Sequence, residues 1–263
     1  MKLRRLFLFL PAIALLTTGS VKAQQPLFFG KDTRVAIQPK QLPWQAIGQL
    51  MTASKRKCSG TLVAPDIVLT AGHCFVGRHG ELDAALTFTI GQEGDPSAQR
   101  ARAVHVYIEQ RLLKGLIRRP DGLVIPPSIA SYDFAFVRLN KPIGKISGYL
   151  PVFNGPLSAL NTALKQHHYT ITQAGYPTDS NNTMMADKNC KATQLHQDGL
   201  LGHHCNTLPG DSGSPIFIYI DGKPIIIAVQ SSAPDAKDRH LADNIAVTTP
   251  LLQKQLRHFI KNR

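Results

Sequence analysis

Three polar side chains in this 263-residue sequence have the types and the order that nucleophilic catalysis requires. Ser212 lies in the glycine-rich run PGDSGSP, just before an apolar segment, so a tight turn can present its hydroxyl beside backbone N–H groups. Such a hydroxyl needs a base to take its proton and a carboxylate to orient that base. His73, in TAGHC, and Asp133, in YDFAFVRL, supply these groups upstream. The sequence therefore predicts a serine nucleophile with a histidine base and an aspartate partner.

Two other acids compete with Asp133 for the orienting role. Asp121 lies beside Gly122 in a proline-rich stretch, and Asp83 is not followed by an apolar segment. Asp133 directly precedes residues 134–139, which are nearly all apolar and are typical of a strand buried on both faces. We therefore assign the orienting carboxylate to Asp133.

The segments TAGHC, YDFAFVRL and GDSGSP, in this order, resemble the signatures of the trypsin-like serine peptidases of the chymotrypsin fold. The run CNTLPGDSGSPIF resembles the bacterial, glutamyl-endopeptidase-like branch more than the animal trypsins. The resemblance implies an all-β fold of two antiparallel Greek-key β-barrels with the active site in the cleft between them. It also implies a serine endopeptidase that forms an acyl-enzyme, with His73 as base, Asp133 as its partner and Ser212 as nucleophile.

The resemblance also assigns roles to the turn around the nucleophile. The backbone N–H groups of Gly210 and Ser212 are expected to form the oxyanion hole. Asp211 matches the residue that pairs with a newly cut N-terminus in animal trypsins. No IVGG-like sequence occurs here, and Arg34–Val35 is the best candidate for such a cut.

Four residues are expected to line the pocket for P1, the substrate side chain before the scissile bond: Asn206, Thr207, Gln230 and Ser231. Neutral Asn206 stands where trypsin-like pockets for Lys or Arg carry a buried acid. Thr207 matches a wall of glutamyl-specific relatives, but Gln230 replaces their histidine. A neutral polar pocket predicts that neutral P1 residues are cleaved at least as well as Glu, and that Lys and Arg are cleaved poorly, because a buried charge needs a partner.

Two other functions fit parts of the pattern. A catalytically silent, cationic binding protein on a peptidase fold is the main alternative, although His73, Asp133 and Ser212 are all present. A protease-chaperone would need a trailing PDZ domain, for which too few residues follow Pro215 once the barrel closes. For the peptidase we expect protein or peptide substrates, no cofactor, no specific nucleic-acid partner and a monomeric state.

The N-terminal residues predict export. Residues 1–23 combine early basic residues, a short apolar stretch and small residues before a cut after Ala23, as a secretory signal peptide does. Removing its four basic residues and no acid lowers the formal net charge from +13 to +9. The mature protein is thus expected in the periplasm or outside the cell, with a nonspecific attraction to anionic surfaces.

Four cysteines in an exported chain suggest two disulfides, and spacing alone leaves three pairings open. The family resemblance implies the pairs Cys58–Cys74 and Cys190–Cys205. The histidine pairs at 167–168 and 203–204 do not predict a metal site, because adjacent residues on an extended segment point to opposite sides. We expect these histidines on the surface or in loops.

The predicted elements divide the chain into consecutive parts. Residues 24–34 form a leader or short pro-segment, residues 35–150 a first barrel carrying His73 and Asp133, and residues 151–263 a second barrel carrying Ser212. A C-terminal amphipathic helix is expected, with Thr249 as its N-cap and Pro250 at its first position. Residues 109–131 contain prolines that prevent one regular element and predict an insertion near the cleft. Residues 178–189 are polar and rich in asparagine and predict a loop, whereas residues 86–90 alternate apolar and polar side chains as a strand does.

Overall fold

The computed structural model of the protein describes residues 28–77, 79–91, 95–119 and 122–262. The predicted signal peptide and residues 24–27 of the predicted leader lie outside the described residues. The strands of the described part, in chain order, are β1 Val35–Ile37, β2 Ile47–Thr52, β3 Lys57–Ala64, β4 Ile67–Thr70, β5 Ala85–Ile90, β6 Gln99–Ile108, β7 Ile117–Arg119, β8 Gly122–Val124, β9 Ala135–Leu139, β10 Thr170–Gly175, β11 Met184–Leu195, β12 Leu200–His203, β13 Pro215–Ile220, β14 Lys223–Ser232 and β15 Asn244–Thr248. The α-helices are α1 Gln110–Gly115, α2 Gly144–Ser147, α3 Leu157–Gln166 and α4 Thr249–Lys261.

Two antiparallel barrels make up the fold. The first is closed in the order β2-β3-β4-β9-β6-β5. The second runs β11-β10-β13-β14-β15-β12 and closes through the pairing of β11 with β12. This arrangement, followed by the C-terminal helix α4, confirms the predicted fold class.

Each barrel has an apolar interior. The first contains Leu50, Phe88 and Phe136, all fully buried, and the second contains Ile216, Ile227 and Ala246. Burying one such large side chain contributes about 1.5–3 kcal/mol to stability. Strand β9 is apolar along almost its whole length because β4 and β6 flank it inside the first barrel.

The chain passes between the barrels at residues 150–151. The Leu150 N–H donates to the Leu62 carbonyl of the first barrel, and the Pro151 carbonyl accepts from the Ile226 N–H of the second, both at 2.9 Å. Helix α4 then brings Phe259 back to the first barrel, 5.6 Å from Phe136 between ring centroids. The two barrels are therefore held together by the chain crossing and by the C-terminal helix.

Several elements differ from the sequence-based expectation. Strand β1 pairs with β11 of the second barrel, not with the first barrel, with Val35 opposite Ala186. Residues 184–189, predicted as part of a polar loop, belong to the long strand β11, and α3 and β15 were not predicted. Helix α4 has Thr248 at its N-cap rather than Thr249, whose hydroxyl instead donates to the Phe153 carbonyl.

Both expected disulfides are present. Cys58 on β3 is bonded to Cys74 directly after His73, and Cys190 on β11 is bonded to Cys205 before the nucleophile turn. Each disulfide closes a loop at a predicted active-site segment. Because such a crosslink lowers the conformational entropy of the unfolded chain, it stabilises the folded state by about 3 kcal/mol. In the described part of the chain, no helix is long and apolar enough to cross a membrane.

Candidate active site

His73 lies at the end of β4, where the chain leaves the first barrel in a short 3₁₀ turn over Gly72–Phe75. Two neighbours hold this turn. The disulfide at Cys74 ties it to β3, and the Arg56 guanidinium donates to the carbonyls of His73 and Val76, at 3.1 and 2.6 Å. The turn is therefore fixed on both sides of the imidazole.

The imidazole of His73 connects Asp133 with Ser212. Its Nδ1 lies 2.7 Å from Asp133 Oδ2, and its Nε2 lies 2.9 Å from Ser212 Oγ. A carboxylate only accepts hydrogen bonds, so Nδ1 carries the proton of the neutral ring and Nε2 is free to accept the Ser212 hydroxyl proton. Burial alone lowers the pKa of His73, but the charge and hydrogen bond of Asp133 outweigh burial and raise the pKa above its ordinary value of 6.5.

Asp133 is fully buried and accepts three hydrogen bonds. The donors are the backbone N–H and Nδ1 of His73, both at 2.7 Å, and the Ser231 hydroxyl at 2.5 Å. Burial raises the pKa of Asp133, but His73 and these hydrogen bonds more than offset it, so the net shift is downward. The carboxyl therefore stays ionised and holds one ring orientation.

The rival acids have other surroundings. Asp83 is buried in the first barrel, where its carboxylate accepts from the Thr52 and Ser54 hydroxyls and from the Ser54 N–H. These contacts tie β2 to the following turn and do not include His73. Asp121 lies outside the described residues.

The turn before β13 carries Ser212 toward His73. It is anchored in the first barrel by the Ser59 N–H, which donates to the Ser212 carbonyl at 2.8 Å, and in the second by the Gly213 N–H, which donates to the Gln230 carbonyl at 2.8 Å. The Ser212 turn is thus bonded to both barrels, and the three predicted catalytic residues sit where the barrels meet.

Two backbone N–H groups of this turn have no acceptor. The N–H groups of Asp211, Gly213 and Ser214 all donate within the fold. In contrast, those of Gly210 and Ser212 donate to no described residue. The Pro209 carbonyl accepts from Thr178 N–H, and because C=O and N–H point in opposite directions in a trans peptide, the Gly210 N–H points away from Thr178. Two unpaired donors beside a serine hydroxyl are what an oxyanion hole requires.

Gly210 can only be glycine in this turn. Its φ is +97°, and a Cβ there would lie 2.5 Å from the Tyr176 carbonyl oxygen. A side chain would therefore strain the backbone and push the turn away from β10.

Asp211 is buried next to the nucleophile without a cationic partner. Its carboxylate accepts the Leu208 N–H at 3.0 Å, and among the described residues no amine or guanidinium forms an ion pair with it. Burial raises the pKa of Asp211 to about 7. Within the described residues, the turn is therefore formed without an ion pair at Asp211.

We expect Asp211→Asn to change the pH dependence of stability. Because the folded-state pKa is raised from 3.8 to about 7, the native state holds an extra proton between these values, and wild-type stability falls as pH rises through that window. The amide does not titrate. As pH rises from 4.5 to 7.5, the difference in free energy of unfolding between variant and wild type should therefore change by about 2–4 kcal/mol in favour of the variant. Urea unfolding at several pH values measures this, and parallel pH profiles for the two proteins would contradict it.

A cavity of about 420 Å³ adjoins Ser212 and fits the position of a P1 pocket. Three predicted residues line it: Thr207, Gln230 and Ser231. Asn206 does not; its side-chain amide donates to the Lys31 carbonyl and to Thr33 Oγ1, residues of the N-terminal segment. Asn206 faces this N-terminal segment, whose position against β11 depends on contacts across the fold that no local pattern predicts.

Arg239 lines the same cavity and was missed by sequence reasoning. Its side chain is buried, its guanidinium donates to the Thr207 carbonyl at 3.1 Å and to Asn244 Oδ1 at 3.3 Å, and its Nε has no hydrogen-bond partner. No described carboxylate pairs with it; Asp235 also lines the cavity but is exposed. Burial lowers the pKa of Arg239. The cavity lining therefore includes a buried guanidinium without a carboxylate partner, together with the exposed carboxylate of Asp235.

His203 supports the pocket from behind. It is fully buried on β12, contrary to the expected surface or loop position, because β12 lies between β11 and β15 and all of its residues are buried. Its Nδ1 accepts the Cys205 N–H at 3.2 Å, so its Nε2 carries the proton donated to Gln230 Oε1 at 2.7 Å. Burial lowers the pKa of His203 to about 4, so the ring is neutral at pH 7 and fixes the Gln230 amide.

A second cavity of about 560 Å³ adjoins His73 and Ser231. Its other wall is apolar and comes from the insertion: Leu116, Leu123, Val124 and Ile125. Part of the insertion forms α1 and the hairpin β7–β8. The insertion therefore borders the cleft. In the described residues, no group of three or more histidine, cysteine or acidic side chains could hold a metal ion.

Comparison with known proteins identifies the family. A family model described as Trypsin matches residues 33–250, which is most of the chain. The chain belongs to the trypsin family. The resemblance inferred from the three motifs is thereby confirmed, and the paired His73, Asp133 and Ser212 lie within the matched region of this trypsin-family chain.

Individual relatives come from bacteria and animals. Glutamyl endopeptidase of Bacillus licheniformis is 26% identical over 198 residues, which cover 72% of this trypsin-family chain and 54% of that protein. Vitamin K-dependent protein C of Rattus norvegicus is 24% identical over 213 residues, covering 72% of this chain and 43% of that protein. The chain thus spans about half the length of the curated relatives it matches.

A solved structure has the same fold. It is described as "Structure of Glu endopeptidase in complex with MPD" and superposes with a TM-score of 0.67, covering 90% of this chain and all of the other, at 19% identity. This likeness supports the two-barrel architecture of the trypsin-family chain.

Proposed function

We propose that the protein is a secreted serine endopeptidase that hydrolyses peptide bonds in protein or peptide substrates. The observation that carries this proposal is the continuous hydrogen-bonded path from Asp133 through His73 to Ser212, next to the unpaired N–H groups of Gly210 and Ser212. Membership of the trypsin family supports it. The two disulfides and the signal-like residues 1–23 support secretion.

The geometry supports a two-step reaction through an acyl-enzyme. Ser212 Oγ attacks the substrate carbonyl carbon while its proton passes to His73 Nε2, and the Gly210 and Ser212 N–H groups stabilise the negative oxygen. His73 then protonates the leaving amine, and the acyl group remains on Ser212. A water molecule, deprotonated by His73, attacks the acyl carbon; the bond to Ser212 Oγ breaks, His73 returns the proton to Oγ, and the acid is released. Asp133 stays ionised throughout and stabilises the protonated imidazole.

We further propose that the P1 pocket prefers an acidic side chain. A buried guanidinium without a counterion is costly, and a substrate carboxylate in the cavity would pair with Arg239. The similarity to a glutamyl endopeptidase agrees with this preference. The neutral pocket predicted from the sequence omitted Arg239, so we now expect Glu to be cleaved better than neutral residues, with Lys and Arg still poor.

Matched peptides with Glu or Gln at P1 test the preference, because the two side chains differ in charge and hardly in size. We expect the wild type to favour Glu by about tenfold or more in kcat/KM, since charge pairs in a partly buried site act through a reduced dielectric. Arg239→Met should bring the ratio close to one. The control Lys237→Met removes an exposed charge from the same loop and should keep the ratio. Equal cleavage of the two peptides by the wild type, or an unchanged ratio in Arg239→Met, would contradict the proposal.

A further inference from the structure

The segment Phe28–Arg34, here called the N-terminal strap, is fastened to the second barrel. The Arg34 side chain, only 5% exposed, pairs with Asp32 of the strap and with Asp179 of the second barrel, at 2.9 and 2.7 Å. Its guanidinium also lies over the Phe28 ring, 4.5 Å from the centroid. Directly after Arg34, β1 pairs with β11. The strap is therefore anchored at its end next to the sheet.

The strap also binds the chain just before the nucleophile turn. Buried Asp187 on β11 accepts the Thr33 hydroxyl at 2.8 Å and the Asn206 N–H at 2.7 Å. The Asn206 amide donates back to Thr33 Oγ1 at 3.0 Å and to the Lys31 carbonyl at 3.3 Å. Asn206 is thus held by strap and strand together, and its neighbour Thr207 is a wall of the P1 cavity.

Phe29 connects the strap to Arg239. Its ring stacks on the His204 imidazole at 4.1 Å between centroids, with an interplanar angle of 11°. The Arg239 guanidinium carbon lies 5.1 Å from the centroid of the same Phe29 ring, within the range of a cation–π contact. The Arg239 guanidinium makes two hydrogen bonds, to the Thr207 carbonyl at 3.1 Å and to Asn244 Oδ1 at 3.3 Å, and its Nε has no hydrogen-bond partner. The Phe29 ring is therefore its third contact.

We propose that Phe29 is a positioning residue for P1 recognition and that the N-terminal strap remains attached in the active enzyme, where it supports the pocket residue Arg239 from outside the cavity. Phe29 keeps the Arg239 guanidinium at the cavity, so the strap determines how strongly an acidic P1 side chain is preferred. This inference rests on the proposed function of Arg239. It replaces the idea of an activating cut at Arg34–Val35, because that cut would release the support of Asn206 and Arg239 from the sheet.

The test compares Phe29→Leu, which loses the ring, with Phe29→Tyr, which keeps it. Matched P1-Glu and P1-Gln peptides give kcat and KM separately. Phe29→Leu should lower the Glu/Gln ratio about fivefold, mainly through a higher KM for the Glu peptide, with the Gln peptide little changed. Phe29→Tyr should keep the wild-type ratio. Phe28→Leu removes the neighbouring ring, which contacts Arg34 and not Arg239, and should change the ratio less than twofold.

The outcomes separate this proposal from the proposed function. The positioning role alone is overturned if the wild type prefers Glu and Phe29→Leu keeps that preference. It is also overturned if Phe29→Leu loses activity equally on both peptides. A wild type without preference for Glu contradicts the proposed pocket chemistry and this proposal with it. Phe29→Met provides a second ring-free variant if Phe29→Leu does not fold. N-terminal sequencing of active enzyme should give a start before Phe28, and full activity in protein that begins at Val35 overturns the attached strap.

Discussion

Ser212→Ala is expected to abolish peptide hydrolysis while the protein stays folded. In the proposed mechanism, the hydroxyl 2.9 Å from His73 Nε2 is the attacking group, and without it no acyl-enzyme forms. The expected loss in kcat is about five orders of magnitude or more, the size known for template serine peptidases when a triad member is removed. The side chain is only partly buried, so the free energy of unfolding should change by less than about 1 kcal/mol. Steady-state kinetics and urea unfolding measure the two quantities.

Ser214→Ala is the matched control for this prediction. Ser214 lies two residues further along the same turn, its hydroxyl is buried, and it does not contact His73. Its removal should leave kcat within a few fold of the wild type. Hydrolysis by Ser212→Ala at a rate similar to that of the Ser214→Ala control would rule out Ser212 as the nucleophile.

Asp133→Asn is expected to cost about four orders of magnitude in kcat, again the magnitude of the family template. Three donors converge on the carboxylate, and the amide offers only one acceptor atom. The NH₂ group of the variant would face a donor, most harmfully Nδ1 of His73, which then exposes Nε2–H instead of a lone pair to Ser212. The base would be held in the wrong tautomer.

The same variant should shift the pH profile of its residual activity. In the wild type, Asp133 raises the pKa of His73 above 6.5, and only the neutral imidazole accepts the Ser212 proton, so activity rises with pH through that pKa. Without the negative charge, the acidic limb of kcat/KM should move to lower pH. Asp83→Asn, at a buried acid whose carboxylate bonds Thr52 and Ser54 rather than the imidazole, is the control and should keep the wild-type limb. An unchanged limb in Asp133→Asn would show that this carboxylate does not act on His73.

The parts of the fold that could be predicted depend on local patterns. Alternating or continuous apolar runs marked strands such as β5 and β9, because side chains alternate across a strand. Helix α3 has Leu157, Leu160 and Leu164 on one face, a helical period that the sequence analysis overlooked. Strand β11 was missed because its outward residues are polar. It forms a strand because its backbone pairs with β1 and β10, which composition alone does not reveal.

The residues of the candidate site likewise fall into those that local sequence identifies and those that only the fold reveals. His73, Asp133 and Ser212 stand in motifs whose flanking residues build the turns that hold them, so local sequence was enough to select them. Arg239 lies in a polar loop with no periodicity, and its role arises from contacts with Phe29 and Thr207 made across the fold. Its place soon after the predicted pocket residues Gln230 and Ser231 was the one sequence clue that it borders the pocket. Buried His203 was missed because its adjacent partner His204 suggested a surface pair.

Reaction with a fluorophosphonate tests the central claim most directly, because the reagent bonds covalently only to a serine hydroxyl that a neighbouring base activates. The folded protein would be labelled at neutral pH, digested and mapped by tandem mass spectrometry, with Asp133→Asn treated in parallel. We predict a single adduct on Ser212 in the wild type and strongly reduced labelling in the variant. A folded wild-type protein that takes up no label at Ser212, or that reacts at another serine, would contradict the account and favour a catalytically silent binding protein.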